Sequence, residues 1–338
     1  MPSMTRPIRS YALAVLISCA AGINGCNSQN EVCFVIEENP FIEDPALSEF
    51  TQYIHVLECL HVVAESGISD SKLLHVAAVA AELLDQDENG FVDDPMLEAA
   101  LFQGQALMPV LNFEGSDAEE NLFEFYEGDG ISAVLYNEEI DPSDPGYWGA
   151  DATVEEVLHT INHVGHVVIY PEAFSLEPNS SLLSAAMDVA RGGQFFDMPD
   201  VYPEEAWYHY DDETCDYKCM AIEYLYWAIV TEMGILNDAT TAEGIADEWE
   251  LPSPELLEAT DLLVHALIND PAYMIPLVAP DGNYCPEAVD VVGAHGTAPK
   301  LIEVLNLLGQ QVKASSHGIQ LHVFDDLTVK KVISYPQE

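Results

Sequence analysis

Two stretches of this chain combine cation-holding side chains with spacings that could bring them together. The first is Asp85-Gln86-Asp87-Glu88-Asn89-Gly90-Phe91-Val92-Asp93, which follows the first nine positions of an EF-hand-type loop. Calcium takes several oxygen ligands on a tightly curving backbone. Asp85, Asp87 and Asn89 alternate to supply side-chain oxygens, Gly90 allows the sharp turn, Phe91 offers its carbonyl, and Asp93 binds directly or through water. The twelfth position, where a bidentate Glu belongs, is Met96, so the loop predicts weakened Ca2+ binding or a ligand borrowed from Asp94 or Glu98. The alternative is an ordinary acidic turn linking two helices. Offering no open coordination position, a Ca2+ ion here would clamp two helices rather than take part in a reaction.

The second stretch runs from Asp151 to His166 and contains Glu155, Glu156, His159, His163 and His166. Residues four apart share a helix face, so Glu155, His159 and His163 line up, with His166 near the same side. Two ligands one turn apart can converge on one Zn2+ ion, and Glu156 stands beside them where a general base would act on water. Three other readings stay open. Thr153 and Glu156 form an S/T-x-x-E capping box, Glu155 and His159 could be a solvated pair, and His163 and His166 could be exposed with no task. A later segment, Cys215 to Ala228, is apolar and aromatic through its second half. Glu223 lies inside it, where an ionised carboxylate is costly unless paired or bound to metal. Alternatively Glu223 sits on a polar face with Lys218 or solvent. Tyr217 precedes it by nearly two turns.

This order of parts resembles the zincin metallopeptidases, especially those of the anthrax lethal factor catalytic-domain type. Such proteins have a strand-bearing lobe, an active-site helix with HExxH, and a later helix giving a Glu ligand preceded by a Tyr. The strand-helix passage from Leu57 to Leu84 is loosely similar to the start of these domains, and the resemblance covers roughly 50–235. It implies Glu156 as general base, His159 and Glu223 as Zn2+ ligands, and Tyr217, one residue out of step, as the oxyanion partner. Glu155 stands where the first histidine ligand belongs, making the motif EExxH.

The elements that must position these residues change character along the chain. Gln52–Ala64 reads as a strand, and Ser69–Leu84 as a helix capped by Asp70 or Ser71. Pro95–Phe102 and Ser116–Tyr126 read as helices, Ala106–Phe113 and Ile131–Tyr136 as strands. Beyond Asp151 the expected helices are Val154–His166, Ser180–Arg191, Asp212–Gly234, Thr241–Glu248 and Pro254–Ile268. The fold class expected is α+β and zincin-like, with a strand-containing lobe over 31–150 that carries the calcium-type loop, and a mostly helical lobe over 151–293. The segment 294–338 differs again, holding four of the nine basic residues (Lys300, Lys313, Lys330 and Lys331). It reads as an appended strand-and-helix piece.

Composition bounds the partners. The 338 residues carry 59 Asp and Glu against 9 Lys and Arg, yet 49% are hydrophobic, which fits a globular core and not a disordered acidic tail. Such a surface repels nucleic acid and anionic lipid. Residues 1–25 have the layout of a secretory leader: Arg6 and Arg9, an apolar run from Tyr11, then small residues. Cys19 and Cys26 each end a box resembling a lipoprotein cleavage site, and ordinary cleavage after Ala20 is a third option. An exported chain is expected to form disulfides, and six cysteines remain after cleavage near Cys19 or Ala20. No later stretch is long and apolar enough to span a bilayer.

Two functions follow as expectations. One is an exported or surface-anchored zinc metallopeptidase, or a metal-binding relative, acting on a peptide or protein. The other is a non-catalytic, calcium-stabilised binding or structural protein of the cell surface. A carboxylate-bridged di-iron bundle would need a second ExxH, and Asp261 and His265 have i,i+4 spacing instead. GxSxG, phosphate-binding glycine loops and dinucleotide fingerprints are missing from the sequence.

Overall fold

A computed structural model describes residues 33–286, 301–305, 311–313, 318–324 and 329–334. The leader, with Cys19 and Cys26, lies outside the described residues. The strand expected over Gln52–Ala64 is a hairpin. After β1 (Glu37–Glu38) come β2 (Phe50–Val56) and β3 (Leu60–Glu65), antiparallel and paired Tyr53 to Val63 and Ile54 to Val62. The turn places Leu57 at φ 45° and Glu58 at φ 59°, the left-handed conformation of a tight hairpin turn, usually given to Asn or Gly. With neither residue present, the sequence reads as unbroken.

From β3 the chain passes through α1 (Asp70–Leu84), the acidic loop and α2 (Pro95–Gly104) to β4 (Leu107–Leu111), which lies parallel to β3. Helix α3 (Asp117–Phe125) then leads to β5 (Leu135–Tyr136), parallel to β4. The result is a mixed five-stranded sheet in sequential order, and the protein is α+β. Strand alternation splits the sheet between two cores. Ile54, Val62, Met108 and Val110 face the large core shared with the helices, while Tyr53, Val63, Leu107 and Leu111 pack with Leu122 of α3 on the other side.

The second half is helical, but in shorter pieces than the periodicity suggests. Helix α4 (Thr153–Ile161) runs through a π-helical turn at Asn162–His166 into α5 (Val167–Ile169), followed by α6 (Pro171–Phe174) and α7 (Leu182–Ala190). Helix α8 (Tyr217–Glu232) is buried over most of its surface and packs against α4 and α7. After α9 (Ala239–Gly244), the helix expected over Pro254–Ile268 is two, α10 (Pro254–Thr260) and α11 (Leu262–Ile268). Asp261 separates them: its carboxylate caps α11 through Val264 N and accepts from the Tyr224 hydroxyl and Trp207 Nε1. One hydrophobic cluster runs continuously from the sheet through α8 to α11.

Two disulfides form, Cys33–Cys285 and Cys215–Cys219. Cys59 is a buried free thiol among the described residues, and Cys26, the sixth cysteine of the expected set, lies outside them. The disulfides fit an oxidising, exported environment. Among the described residues no helix is long and apolar enough to cross a membrane. The C-terminal segment forms a separate antiparallel sheet of β6 (Leu301–Leu305), β7 (Gly318–Phe324) and β8 (Val329–Ser334). The helix expected there is not found among its described residues.

Candidate metal centre

Helices α4 and α8 bring the sequence's candidate ligands together. Glu155, His159 and Glu223 each present a ligand atom, and these atoms all lie within 4.8 Å of one another. His159 Nε2 comes to 3.4 Å from Glu223 Oε2, yet the alignment is too poor for a hydrogen bond. His159 is only 6% exposed, and its Nε2 is buried with no hydrogen-bond partner. A buried nitrogen left in that state is costly. Glu156 approaches the other ring nitrogen, Nδ1, at 3.8 Å. It therefore borders the cluster from the far side of the imidazole.

Like charges are crowded here. Burial pushes Glu155 up to about 7 and Glu156 up to about 8. At His159 burial acts downward, but Glu223, with Glu156 and Glu155, outweighs it and raises the imidazole to about 9. Glu248, which accepts from Trp227 Nε1 at 2.7 Å, is itself pushed up to about 7 by burial. One imidazolium faces several carboxylates in a place that disfavours their charge. A divalent cation among them would reverse that penalty.

Several expectations need correction. Tyr217 does not join the cluster: its hydroxyl donates to Asp188 Oδ1 at 2.9 Å and to the Ser184 carbonyl at 3.3 Å. The reason is helical geometry, since six residues on α8 turn Tyr217 about 120° away from Glu223. Tyr226, three residues after Glu223, faces the cluster instead. Its ring meets His159 edge-on at 5.6 Å, and its hydroxyl lies against Glu155. The i,i+3 spacing from Glu223 was the signal that could have found it. Lys218 pairs with Glu177 at 2.5 Å and not with Glu223. The expected Thr153–Glu156 capping box is missing too: Ala152 is the N-cap residue, and Thr153 Oγ1 donates to Asp151.

His163 and His166 do not extend the ligand face. The π turn widens the helix beyond the α repeat, so the periodicity fails after Ile161. His163 lines a cavity with Met96, Gln103 and Val167, and His166 is buried with Nδ1 against Asn162 Oδ1 at 2.9 Å.

The acidic loop has a different character. Asp85, Asp87 and Asp93 each offer an oxygen within 4.8 Å of the others. Gly90 sits at φ 90°, as the sharp turn requires. Asp85 is fully buried and well supplied with donors: Oδ1 accepts from Asn89 N, and Oδ2 from Gly90 N and the Tyr284 hydroxyl. Asn89 Oδ1 accepts from Phe91 N, and Asp93 Oδ2 from Gln86 N. Phe91 is exposed. Neither proposed substitute for Met96 joins the group. Asp94 caps α2 through Met96 N and accepts from the Tyr170 hydroxyl, while Glu98 lines a separate cavity near His55 and Phe91.

No protein-family model, curated protein or solved structure matches the chain. The function therefore has to be argued from these two sites.

Proposed function

We propose that this is an exported metalloprotein of metallopeptidase type, with Glu155, His159 and Glu223 as the ligands of a zinc-like divalent ion and a peptide as substrate. The observation that carries this reading is the buried His159, whose Nε2 makes no hydrogen bond, grouped with two carboxylates from separate helices. The donor set can hold the group: imidazole and carboxylates both bind zinc, and three protein ligands leave a fourth position open, with one histidine where catalytic sites usually have two or three. When bound, such an ion supplies Lewis-acid polarisation of a carbonyl and a lowered pKa for water. The chain's own groups supply the rest. Glu156 lies beside Nδ1 on the far side of the ring, so to serve as the base it would have to swing past the imidazole, take up the proton lost by the attacking water and return it to the leaving amine. Tyr226 holds Glu155 and the imidazole face in place. Tyr217, turned to Asp188, has no part in this reading.

The test is metal content and peptidase activity of the full exported chain. Wild type should retain about one zinc-like ion after dialysis, and His159→Ala should retain none at this site. Glu156→Gln should keep its metal while losing activity by about 100-fold or more. Metal loss in Glu156→Gln would make that carboxylate an orienting partner of the imidazole, and full activity there would remove the proposed base.

The second reading is a non-catalytic, calcium-stabilised surface protein. It is favoured by the Asp85, Asp87 and Asp93 group lying between α1 and α2. Calcium-dependent stabilisation in a chain that retains no ion at His159 would select it. A secretory or lipoprotein leader over 1–25 belongs to both readings.

A further inference from the structure

Beside the candidate centre lies a cavity of about 310 Å3 lined by Glu138, Glu139, Trp148, Tyr226 and Glu155 among others. Glu155 thus belongs both to this cavity and to the cluster holding the unpartnered His159 nitrogen. The walls are firmly built. Glu139 Oε2 accepts from Tyr136 N at 3.1 Å, and the Glu139 carbonyl from Ala152 N at 2.8 Å. Asp151 closes the loop behind by accepting from Asp141 N, Gly146 N, Thr153 Oγ1 and His75. The Trp148 ring lies directly on Gly244, leaving no room for a Cβ. Lys72 reaches this turn from α1 and donates to the Asn137 carbonyl.

We propose that this cavity is the subsite for a cationic side chain, lysine or arginine, of the peptide whose scissile bond lies at the Glu155–His159–Glu223 cluster. The inference rests on the metallopeptidase reading and names the substrate class for that site. An anionic group would meet Glu138 and Glu139 together. An apolar one would strip water from carboxylates without pairing them. A cation gains the Glu138 and Glu139 carboxylates beside the aromatic rings of Trp148 and Tyr226.

The experiment uses the full chain loaded with zinc and a randomised peptide library read by mass spectrometry, then matched peptides bearing lysine, citrulline or norleucine at the selected position. Lysine or arginine should be selected at one fixed distance from the cut. The lysine-to-norleucine ratio of kcat/KM should fall about tenfold in the Glu138→Gln, Glu139→Gln double variant. Cleavage without cationic preference, or a ratio unchanged in the double variant, overturns the subsite and leaves the peptidase reading standing. If zinc-loaded wild type cuts nothing, the peptidase reading falls, and calorimetric binding of the lysine peptide to zinc-loaded Glu156→Gln decides the subsite. Binding weakened about tenfold by the two added Gln substitutions supports it, and equal or undetectable binding overturns it.

Discussion

The two acidic regions gather carboxylates in opposite states. In the Asp85 loop the chain supplies its own donors, so the buried carboxylate accepts two backbone N–H groups and a tyrosine hydroxyl. Around His159 the carboxylates crowd one another, and the buried imidazole nitrogen has Glu223 at 3.4 Å but no aligned hydrogen bond. An acid so well supplied with donors can be structural without an ion. An unsatisfied, like-charged group costs stability unless something outside the chain completes it. The region with the more recognisable sequence pattern is therefore the one that needs a cation less.

That contrast can be broken experimentally. The largest stability effect is expected where the loop is tied down. The Cys33–Cys285 bridge spans 252 residues and anchors the strap that also docks on Glu82, Asp85 and Gln86 through Gly282, Asn283, Tyr284 and Leu277. Replacing both cysteines with Ser should cost up to about 5 kcal/mol by chain entropy, measured by denaturant unfolding. Next, Asp85→Asn should destabilise by about 2–3 kcal/mol, with chelator as well as with calcium, because it disrupts three accepted hydrogen bonds. An effect seen only with calcium present would show that the loop is ion-dependent after all.

A pH titration sharpens the same boundary. Burial raises Glu82 from 4.5 to about 7, against the lowering effect of the Gly282 and Asn283 amides. The folded protein then binds this proton more tightly than the unfolded chain. Its contribution is fully present below about pH 4.5 and is lost as pH rises through about 7. Glu82→Gln should flatten the fall in stability over that window by about 1–2 kcal/mol, read from unfolding midpoints at successive pH values. The smallest effect has the opposite sign. Glu155→Gln should abolish metal retention yet stabilise the metal-free protein by about 1 kcal/mol, since it removes a carboxylate whose charge burial disfavours. A metal-free protein weakened by that change would mean the cluster is a structural ion-pair network.

Much of the scaffold was legible locally. Ser116, Asp94 before Pro95, Asp216 and Ser253 before Pro254 each accept from the first turn of a helix, as their types and places suggest. The α1 boundary differs only at its start, where Ser69 holds the N-cap position without a side-chain capping bond. The hairpin at Leu57 and Glu58 was hidden because its residues carry no turn signal. The break at Asp261 was hidden because apolar periodicity continues across it, and only the buried Tyr224 and Trp207 donors explain the carboxylate there.

The sequence by itself determined that Glu155 and His159 share a helix face, because the α repeat fixes neighbours one turn apart. It determined the alternation and Gly90 of the acidic loop for the same local reason. Tertiary structure decided the rest. Packing of α4 on α8 carried Glu223 to His159, while rotation about α8 brought in Tyr226 and sent Tyr217 to Asp188. The π turn removed His163 and His166 from the ligand face. Which carboxylates end up satisfied depends on donors from distant segments, such as Tyr284 at Asp85. Spacing along one helix cannot encode those contacts, because they form only when separate elements bury a common surface.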